Sequence, residues 1–594
     1  MIRKYLAILT NAFRKQTRPL PADWSVTLAV LHRMKPKSLL LVAADFALLA
    51  TVTACSIDRL PAQDPSLTKN AVQRPNVLII LADDLGYSDI GPYGSEIRTP
   101  NLDRLAQQGV RMTHFHSAPS CSPSRAMLLS GTDIHTAGLG AAPEYIPAPM
   151  QGRQGFEGYL TERVATIAER LDAAGYETMM AGKWHMGQAD GQRPAQRGFD
   201  HSFALLQGAA DHFGDGGFAG PENANGRADY VLDDRPYTPG NDFYSSDAWT
   251  DWMIAHLSAS RSRPFFAYLA FTAPHSPLQA PAEDIARQKG KYDDGWAMLA
   301  ERRMAAMRAS GVLPGKLAPG TEHEGPDQAS WDALSPQDKA AAAREMEIYA
   351  AMVSHMDQQI GRVLTLLDQR GELDNTLVIF MSDNGPAGEQ AQTYALMPGF
   401  KEKYESARKG LDAMGHRGSF VLRNPQWAKA SAAPSRLFKS FVTEGGTLIP
   451  AIMRFPGLPA NGRSNLVGDL RDILPTIMDA TGVPEDSVIK GHQVAIMEGR
   501  SLLPWLRAGR DDRPIEEVAF AQYGQASVRY GPWKLMRMPP PAGTGEWQLF
   551  NTDDDPGERH DLSSAQHEIL ERLLAVWAGY EREHGLSAER HSGH

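Results

Sequence analysis

Cysteine is nearly absent from this chain: Cys55 and Cys121 are the two present in 594 residues. So low a count excludes the disulfide-stapled class of small secreted domains. Neither cysteine stands at zinc-ligand spacing from another cysteine or a histidine, which disfavours a zinc hydrolase. Positive charge is also in short supply, with 60 Lys and Arg against 70 Asp and Glu and a formal net charge of -10. There is no long run of Lys and Arg to track a phosphate backbone, so nucleic acid is not expected as a partner. An anionic substrate would need a local cluster of positive groups instead. Internal repeats and low-complexity tracts are missing too. What remains is the composition of an ordinary globular protein, 42% hydrophobic and 22% charged, long enough for a large domain and a smaller one.

The amino-terminal segment speaks about location. "MKPKSLLLVAADFALLATVTACS", residues 34–56, combines a basic start at Lys35 and Lys37 with an apolar stretch and small residues before Cys55. That stretch is too short for a comfortable membrane span and suits an export signal. Val52-Thr53-Ala54-Cys55 resembles the bacterial lipobox, whose cysteine is lipidated and becomes the mature amino terminus. Residues 1–55 are therefore expected to be an export signal with a lipobox-like end, and Met34 is an alternative initiator. Asp45 interrupts the apolar stretch, and an ordinary amino-terminal helix is the competing reading. The expected location is the periplasm, or the outer membrane by a lipid anchor on Cys55, of a bacterium. Lipidation of Cys55 would leave Cys121 without an intrachain partner, either buried and inert or chemically used.

Short apolar runs separated by helical patterns predict a mostly parallel sheet flanked by helices. "NVLIILADD" (76–84), "TMMAGKWH" (178–185), "FFAYLAFTAPH" (265–275) and "TLVIFMSDNG" (376–385) read as strands, with "LIPAIMRFP" (448–456) a fifth. Helical spacing marks 101–109, 161–174 and 337–370. Two polar stretches, 283–335 and 386–438, read as loop-rich insertions of the kind that shape or cover a site. From about 515 onward, short runs with turn signals precede a helix at 564–583, which predicts a small antiparallel sheet with a helix packed on it. The fold class is α/β, with a large domain at 74–485 and a small α+β domain at 515–585.

In open α/β sheets ligands bind beyond the carboxyl ends of the strands. The strands here end in Asp83-Asp84, Lys183-Trp184-His185, Pro274-His275 and Asp383-Asn384. An Asp after one strand is more often a turn or cap residue, but four such ends on one sheet edge are a less probable accident. Asp83, Asp84, Asp383 and Asn384 offer three carboxylates and an amide, hard donors that suit calcium or magnesium. Arg125, Lys183 and Lys439 bring positive charge, and His185, His212 and His275 can carry protons. Cations around such a site form a pocket for a small tetrahedral oxyanion. His114, His116 and His135 are read as packing residues, as are the histidines of the terminal "RHSGH".

"CSPSR" at 121–125 matches C-x-P-S-R, and the chain resembles the formylglycine-dependent (type I) sulfatases, closest to their bacterial arylsulfatase branch. Eight blocks stand in that family's order: "RPNVLIILADDLGYSDIGPYG", "TPNLDRLAQQGVRMTHF", "SAPSCSPSRAMLLSG", "GYETMMAGKWHMG", "RGFDHSF", "PFFAYLAFTAPHSP", "DNTLVIFMSDNG" and "EGGTLIPAIMRFPG". The resemblance runs from about Arg74 to "LFNTDDDPGERHDL" and implies an alkaline-phosphatase-like domain. It also implies that a maturation enzyme oxidises Cys121 to formylglycine, whose hydrated gem-diol attacks the sulfur of a sulfate monoester. Pro123 and Arg125 would belong to the tag that enzyme reads. By the same resemblance, Asp83, Asp84, Asp383 and Asn384 ligate one calcium together with residue 121. Lys183, Lys439 and His212 contact the sulfate ester, and His275 with Lys439 protonates the departing oxygen. The resemblance implies too that Arg125 and His185 would orient and deprotonate the diol. Departures are local: "EGGTLIP" lacks the arginine frequent after the glycines, and Ser130 replaces a common threonine. Phosphate or phosphonate ester hydrolysis is the alternative activity, and a non-catalytic binding lipoprotein the alternative class. The natural ester is not legible, because its walls would come from 205–250 and the two insertions.

Overall fold

A computed structural model describes residues 74–216, 228–313, 330–389 and 410–586. Residues 1–73, including the segment expected to be an export signal and Cys55, lie outside the described residues, and among those described no helix is long and apolar enough to cross a membrane.

The central sheet has ten strands: β1 (Asn76–Ala82), β2 (Val110–His116), β3 (Glu177–Lys183), β4 (His201–Leu205), β5 (Tyr230–Leu232), β6 (Arg235–Tyr237), β7 (Phe265–Ala270), β8 (Thr376–Ser382), β9 (Ala451–Arg454) and β10 (Gly462–Asp469). Their order is β10-β2-β9-β8-β1-β7-β3-β4-β5-β6. The four strands expected to carry the chemistry are contiguous and parallel, in the order β8-β1-β7-β3, so their carboxyl ends share one pole. β9 is the fifth strand read from sequence, and it runs antiparallel to both β8 and β2.

Both faces of the sheet are covered, which is why its central strands are apolar without alternation. On one face Leu78, Ile80 and Ala82 pack with α1 (Pro100–Gln108), α4 (Ser245–Ser258), α5 (Gly295–Ala309), α6 (Pro336–Gln369) and α7 (Pro425–Ala432). On the other, Val77, Ile79 and Leu81 pack with α2 (Cys121–Ser130), α3 (Ile167–Ala173) and α8 (Ile473–Thr481). α3 begins later than the 161–174 pattern because Thr166 and Glu169 form a capping box that fixes its first turn. The polar stretches at 283–335 and 386–438 are not simply loops. α5 buries Trp296, Leu299, Met304 and Met307, and Trp296, Trp331 and Trp427 meet edge-to-face. Their charge pattern hid this, because α5 also buries Arg303 against Asp89 and Glu96.

A short hairpin, β11 (Val488–Ile489) and β12 (His492–Gln493), precedes the carboxy-terminal unit. There β13 (Glu517–Gln522), β14 (Gln525–Tyr530), β15 (Trp533–Arg537) and β16 (Trp547–Asn551) form an antiparallel meander. α9 (His567–His584) lays Leu573 and Trp577 against Val528, Leu535 and Leu549 of that meander.

His355 on α6 ties three helical segments together, with Nε2 2.7 Å from Asp247 and Nδ1 2.8 Å from Asp284. Burial pulls its pKa down, but the hydrogen bonds to those two carboxylates win and raise it from 6.5 to about 9. The folded state therefore holds this proton more tightly than the unfolded chain. The stabilisation is complete below pH 6.5 and is lost as pH rises through about 9. Denaturant melts at pH 6 and pH 10 should differ by less in His355→Gln than in the unaltered protein; an unchanged difference would sink the assignment.

Candidate active site

The loop after β1 places Asp83 and Asp84 at the pole of the sheet, and Asp84 takes a left-handed φ of 67°. A non-glycine residue there stores strain that the surroundings must hold. They do so through the Asp84 amide, which donates to Asp383 Oδ1 at 3.2 Å, and the Leu85 amide, which donates to Ser382 Oγ at 3.0 Å. β3 approaches β7 so closely that a Cβ on Gly182 would lie 1.7 Å from the carbonyl oxygen of Ala270. The next residue, Lys183, is fully buried and donates to both oxygens of Asp83, at 2.9 and 2.7 Å.

Cys121 opens α2 and lies 4% exposed, its Sγ 3.5 Å from Asp84 Oδ1. Burial, and after it the charge of Asp383, push the thiol well above its ordinary range, so the group here is not a thiolate. One turn on, Arg125 donates to Asp383 Oδ2 at 3.0 and 2.8 Å and to the carbonyl of Lys183 at 2.9 Å. Lys439 reaches in from the loop before the glycine pair, its Nζ 2.8 Å from Asp84 Oδ2 and 3.2 Å from His275 Nε2. His275 Nδ1 lies 2.6 Å from the carbonyl of Ser276, to which it donates, leaving Nε2 to accept from Lys439. Burial is the main reason its pKa falls to about 4. Asp84 goes the other way: burial would raise it, yet Lys439, His275 and Lys183 hold it well below the usual carboxylate range.

These residues fit a hard cation. Three carboxylates crowd together, and burial, with the charge of Asp83 after it, raises Asp383 above its ordinary value. Asn384 gives its amide N–H to Asp84 Oδ1 at 2.7 Å, while its own buried Oδ1 has no hydrogen-bond partner. An orphaned buried oxygen among carboxylates is a ligand position. Asp83, Asp84, Cys121 and His275 each bring one ligand atom within 4.8 Å of the others.

The structure gathers Asp83, Asp84, Cys121, Arg125, Lys183, His275, Asp383, Asn384 and Lys439 into one buried polar network. His212 stands behind it, 1% exposed, with Nδ1 2.8 Å from Ser245 Oγ and Nε2 2.9 Å from the carbonyl of His275. Both its ring nitrogens are thus spent on the protein. His185 leaves β3 with a φ of 57° and its carbonyl accepts from Ser122 Oγ at 2.7 Å. Its Nε2 donates to Glu144 Oε1 at 3.1 Å, and its buried Nδ1 has no partner.

Glu144 is absent from the sequence reading. It lies in the proline-rich "AAPEYIPAP", at no strand end and with no motif to mark it. A carboxylate that fixes one imidazole nitrogen and leaves the other a bare lone pair is how a histidine base is oriented. A cavity of about 260 Å³ between β10 and the carboxy-terminal sheet holds none of these groups, and its charges are paired, Arg513 with Asp472 and Arg529 with Glu444.

Fold and pole together define a hydrolase of esters of a tetrahedral oxyanion. The family model named Sulfatase matches residues 75–483, and the chain belongs to the sulfatase family of sulfuric ester hydrolases. It is 40% identical over 538 residues to an uncharacterized sulfatase of Schizosaccharomyces pombe, covering 86% of this chain and 94% of that protein. It is 39% identical over 433 residues to the arylsulfatase of Klebsiella aerogenes, covering 72% of this chain and 91% of that one. The crystal structure of PsFucS1 sulfatase from Pseudoalteromonas sp. shares the fold, with a TM-score of 0.57 at 20% identity over 89% of this chain and 93% of that chain. The fold is alkaline-phosphatase-like, a mostly parallel sheet between helical layers with a separate small antiparallel sheet.

Glu144→Gln should leave the fold intact and lower kcat by up to about 10²-fold, the lower end of general acid–base assistance. Glu144 raises the pKa of His185 against the larger effect of burial, so its loss moves the acidic limb of the kcat/KM profile to lower pH. An unchanged profile would remove Glu144 from the site.

Proposed function

We propose that this sulfatase cleaves aryl or alkyl sulfate monoesters with formylglycine, formed from Cys121, as nucleophile and one calcium ion held by Asp83, Asp84, Asp383 and Asn384. The observation that carries the reading is the placement of Cys121 3.5 Å from Asp84, inside a ring of oxygen donors and two lysines. A buried, protonated thiol would be a poor nucleophile there and a poor partner for a hard cation. Hydrated formylglycine would supply an oxygen nucleophile together with a second hydroxyl whose deprotonation re-forms the aldehyde and expels sulfate by C–O cleavage, and calcium would offset charge on the sulfate oxygens.

The chain's own groups then divide the work. Lys183 and Lys439, each anchored on a carboxylate, present N–H donors to a sulfate oxyanion from two sides. Lys439 carries the proton shared with His275 Nε2, and that pair stands ready to protonate a departing oxygen. Arg125 neutralises Asp383 and pins the carbonyl of Lys183 rather than reaching outward. His212 holds the backbone carbonyl of His275 at Nε2, a supporting role; the substrate contact that the family resemblance implies would need that nitrogen freed. His185, oriented by Glu144, accepts a proton at Nδ1. The similarity to the Klebsiella aerogenes arylsulfatase supports aryl sulfates as the first substrates to test. Residues 1–55 are read as an export signal with a lipobox-like end, and Cys55 as a lipid-bearing residue that anchors the protein at the outer membrane or in the periplasm.

Mass spectrometry of the Cys121 peptide from the native host should find the aldehyde, about 18 mass units below the thiol because CHO replaces CH2SH. Rates on nitrophenyl sulfate should exceed those on the phosphate and phosphonate analogues, and Cys121→Ala should abolish turnover. Unmodified thiol in fully active enzyme would overturn the nucleophile; faster phosphonate cleavage would overturn the substrate class. Incorporation of labelled fatty acid that is lost in Cys55→Ala tests the anchor.

A further inference from the structure

Among the described residues a second cluster of metal-ligating side chains lies away from the calcium-type site. Asp133, His135 and His584 each offer one ligand atom within 4.8 Å of those of the other two. α2 starts at Cys121 and ends at Ser130, just before Asp133, so its ten residues, about 15 Å of helix, separate this place from the nucleophile. His584 is the last residue of α9, so the cluster joins two parts of the chain some 450 residues apart in sequence.

The donors are preset by their neighbours. Asp133 Oδ1 accepts from the His135 amide at 2.8 Å and lies 3.1 Å from His135 Nδ1 and 3.7 Å from His584 Nε2. Tyr580 donates its hydroxyl proton to Asp133 Oδ2 at 2.9 Å. The Asp133 amide donates to Glu498 Oε1 at 3.0 Å, which fixes the start of the turn. Asp133 and His135 are 5% and 2% exposed, and the side chain of His584 is 12% exposed. Phe156 and Tyr580 line the place, with ring centroids 5.1 Å from His135 and 4.5 Å from His584.

We propose that Asp133, His135 and His584 bind one divalent transition-metal ion of the zinc type, which fastens α9 to the segment behind the nucleophile helix. Two imidazole nitrogens with one carboxylate oxygen are borderline donors that suit zinc, cobalt, nickel or copper. Calcium and magnesium prefer all-oxygen shells such as the one at Asp83, Asp84, Asp383 and Asn384. The two sites therefore select different ions from the same solution. The hydrogen bond from Tyr580 to the ligating carboxylate is the outer-shell support that metal sites commonly carry. Ligands so far apart in sequence make the ion a cross-link, and its binding free energy adds to folding.

The test is titration of the calcium-saturated full-length protein with Co2+, read by visible absorption and thermal melting. One Co2+ per chain should bind with ligand-field bands between about 500 and 650 nm, be displaced by Zn2+, and raise Tm. His135→Ala and His584→Ala should each abolish the bands, and Tyr580→Phe should weaken Co2+ about 10–100-fold. The double variant His591→Ala/His594→Ala should leave the bands unchanged, which separates this site from the terminal histidines. Should His135→Ala fail to fold, His584→Ala at the end of α9 decides alone. Absence of bands in the unaltered protein, or bands that survive His584→Ala, would reduce the cluster to a hydrogen-bonded latch and overturn the proposal. The readout is independent of hydrolysis and of the state of residue 121.

Discussion

Charge neutralisation at the pole of the sheet is the constraint on which the rest of this molecule depends. Asp83, Asp84 and Asp383 are all at most 1% exposed, and each is matched by a cation: Lys183, Lys439 and Arg125 in turn. Buried carboxylates without partners would cost several kcal/mol each, and breaking one such pair costs about 3–5 kcal/mol. The three cations come from the end of β3, the loop before β9 and the first turn of α2. Correct assembly of three distant chain segments is therefore a condition for burying the carboxylates at all.

A second buried network steadies the same loop from behind. Asp89 accepts from the Gly86 amide at 2.9 Å and from the Tyr349 hydroxyl at 2.6 Å, and pairs with Arg303 of α5. The guanidinium of Arg423 stacks 3.5 Å from the centre of the Tyr349 ring. The insertion that carries α5 thus contributes to the position of Asp84 without touching it. The carboxy-terminal sheet does the same on the other side, where Gln522 donates to Ser120 Oγ at 2.7 Å and Gln525 to the carbonyl of Ser440 at 2.7 Å. Ser120 precedes Cys121 and Ser440 follows Lys439, so one hairpin braces both.

Much of this was legible in the sequence because strand ends and apolar runs are local signals. The runs at 76–84, 178–185, 265–275 and 376–385 gave the four central strands, and the polar residues after them meet as expected. Strands β2 and β4 were harder, since "VRMTHFH" and "HSFAL" mix polar and apolar residues. His116 within β2 is buried by pairing with Glu444 rather than by being apolar, a fact fixed by a residue more than 300 positions away. Glu144 was illegible for the same reason, as its meaning comes entirely from the imidazole it faces. His135, read as packing, shares a cluster with Asp133 and His584 that only the docking of α9 creates.

Every residue of α2 is buried, from Cys121 to Ser130, and Ser120 before it is clasped by the carboxy-terminal hairpin. A maturation enzyme of the kind proposed above would have no access to "CSPSR" once this hairpin has closed. The last strands of the chain would therefore set a clock on the proposed conversion of Cys121: it would have to be finished while residues 517–551 are still being made or are still undocked. A folded chain that missed that interval would have no second opportunity short of unfolding.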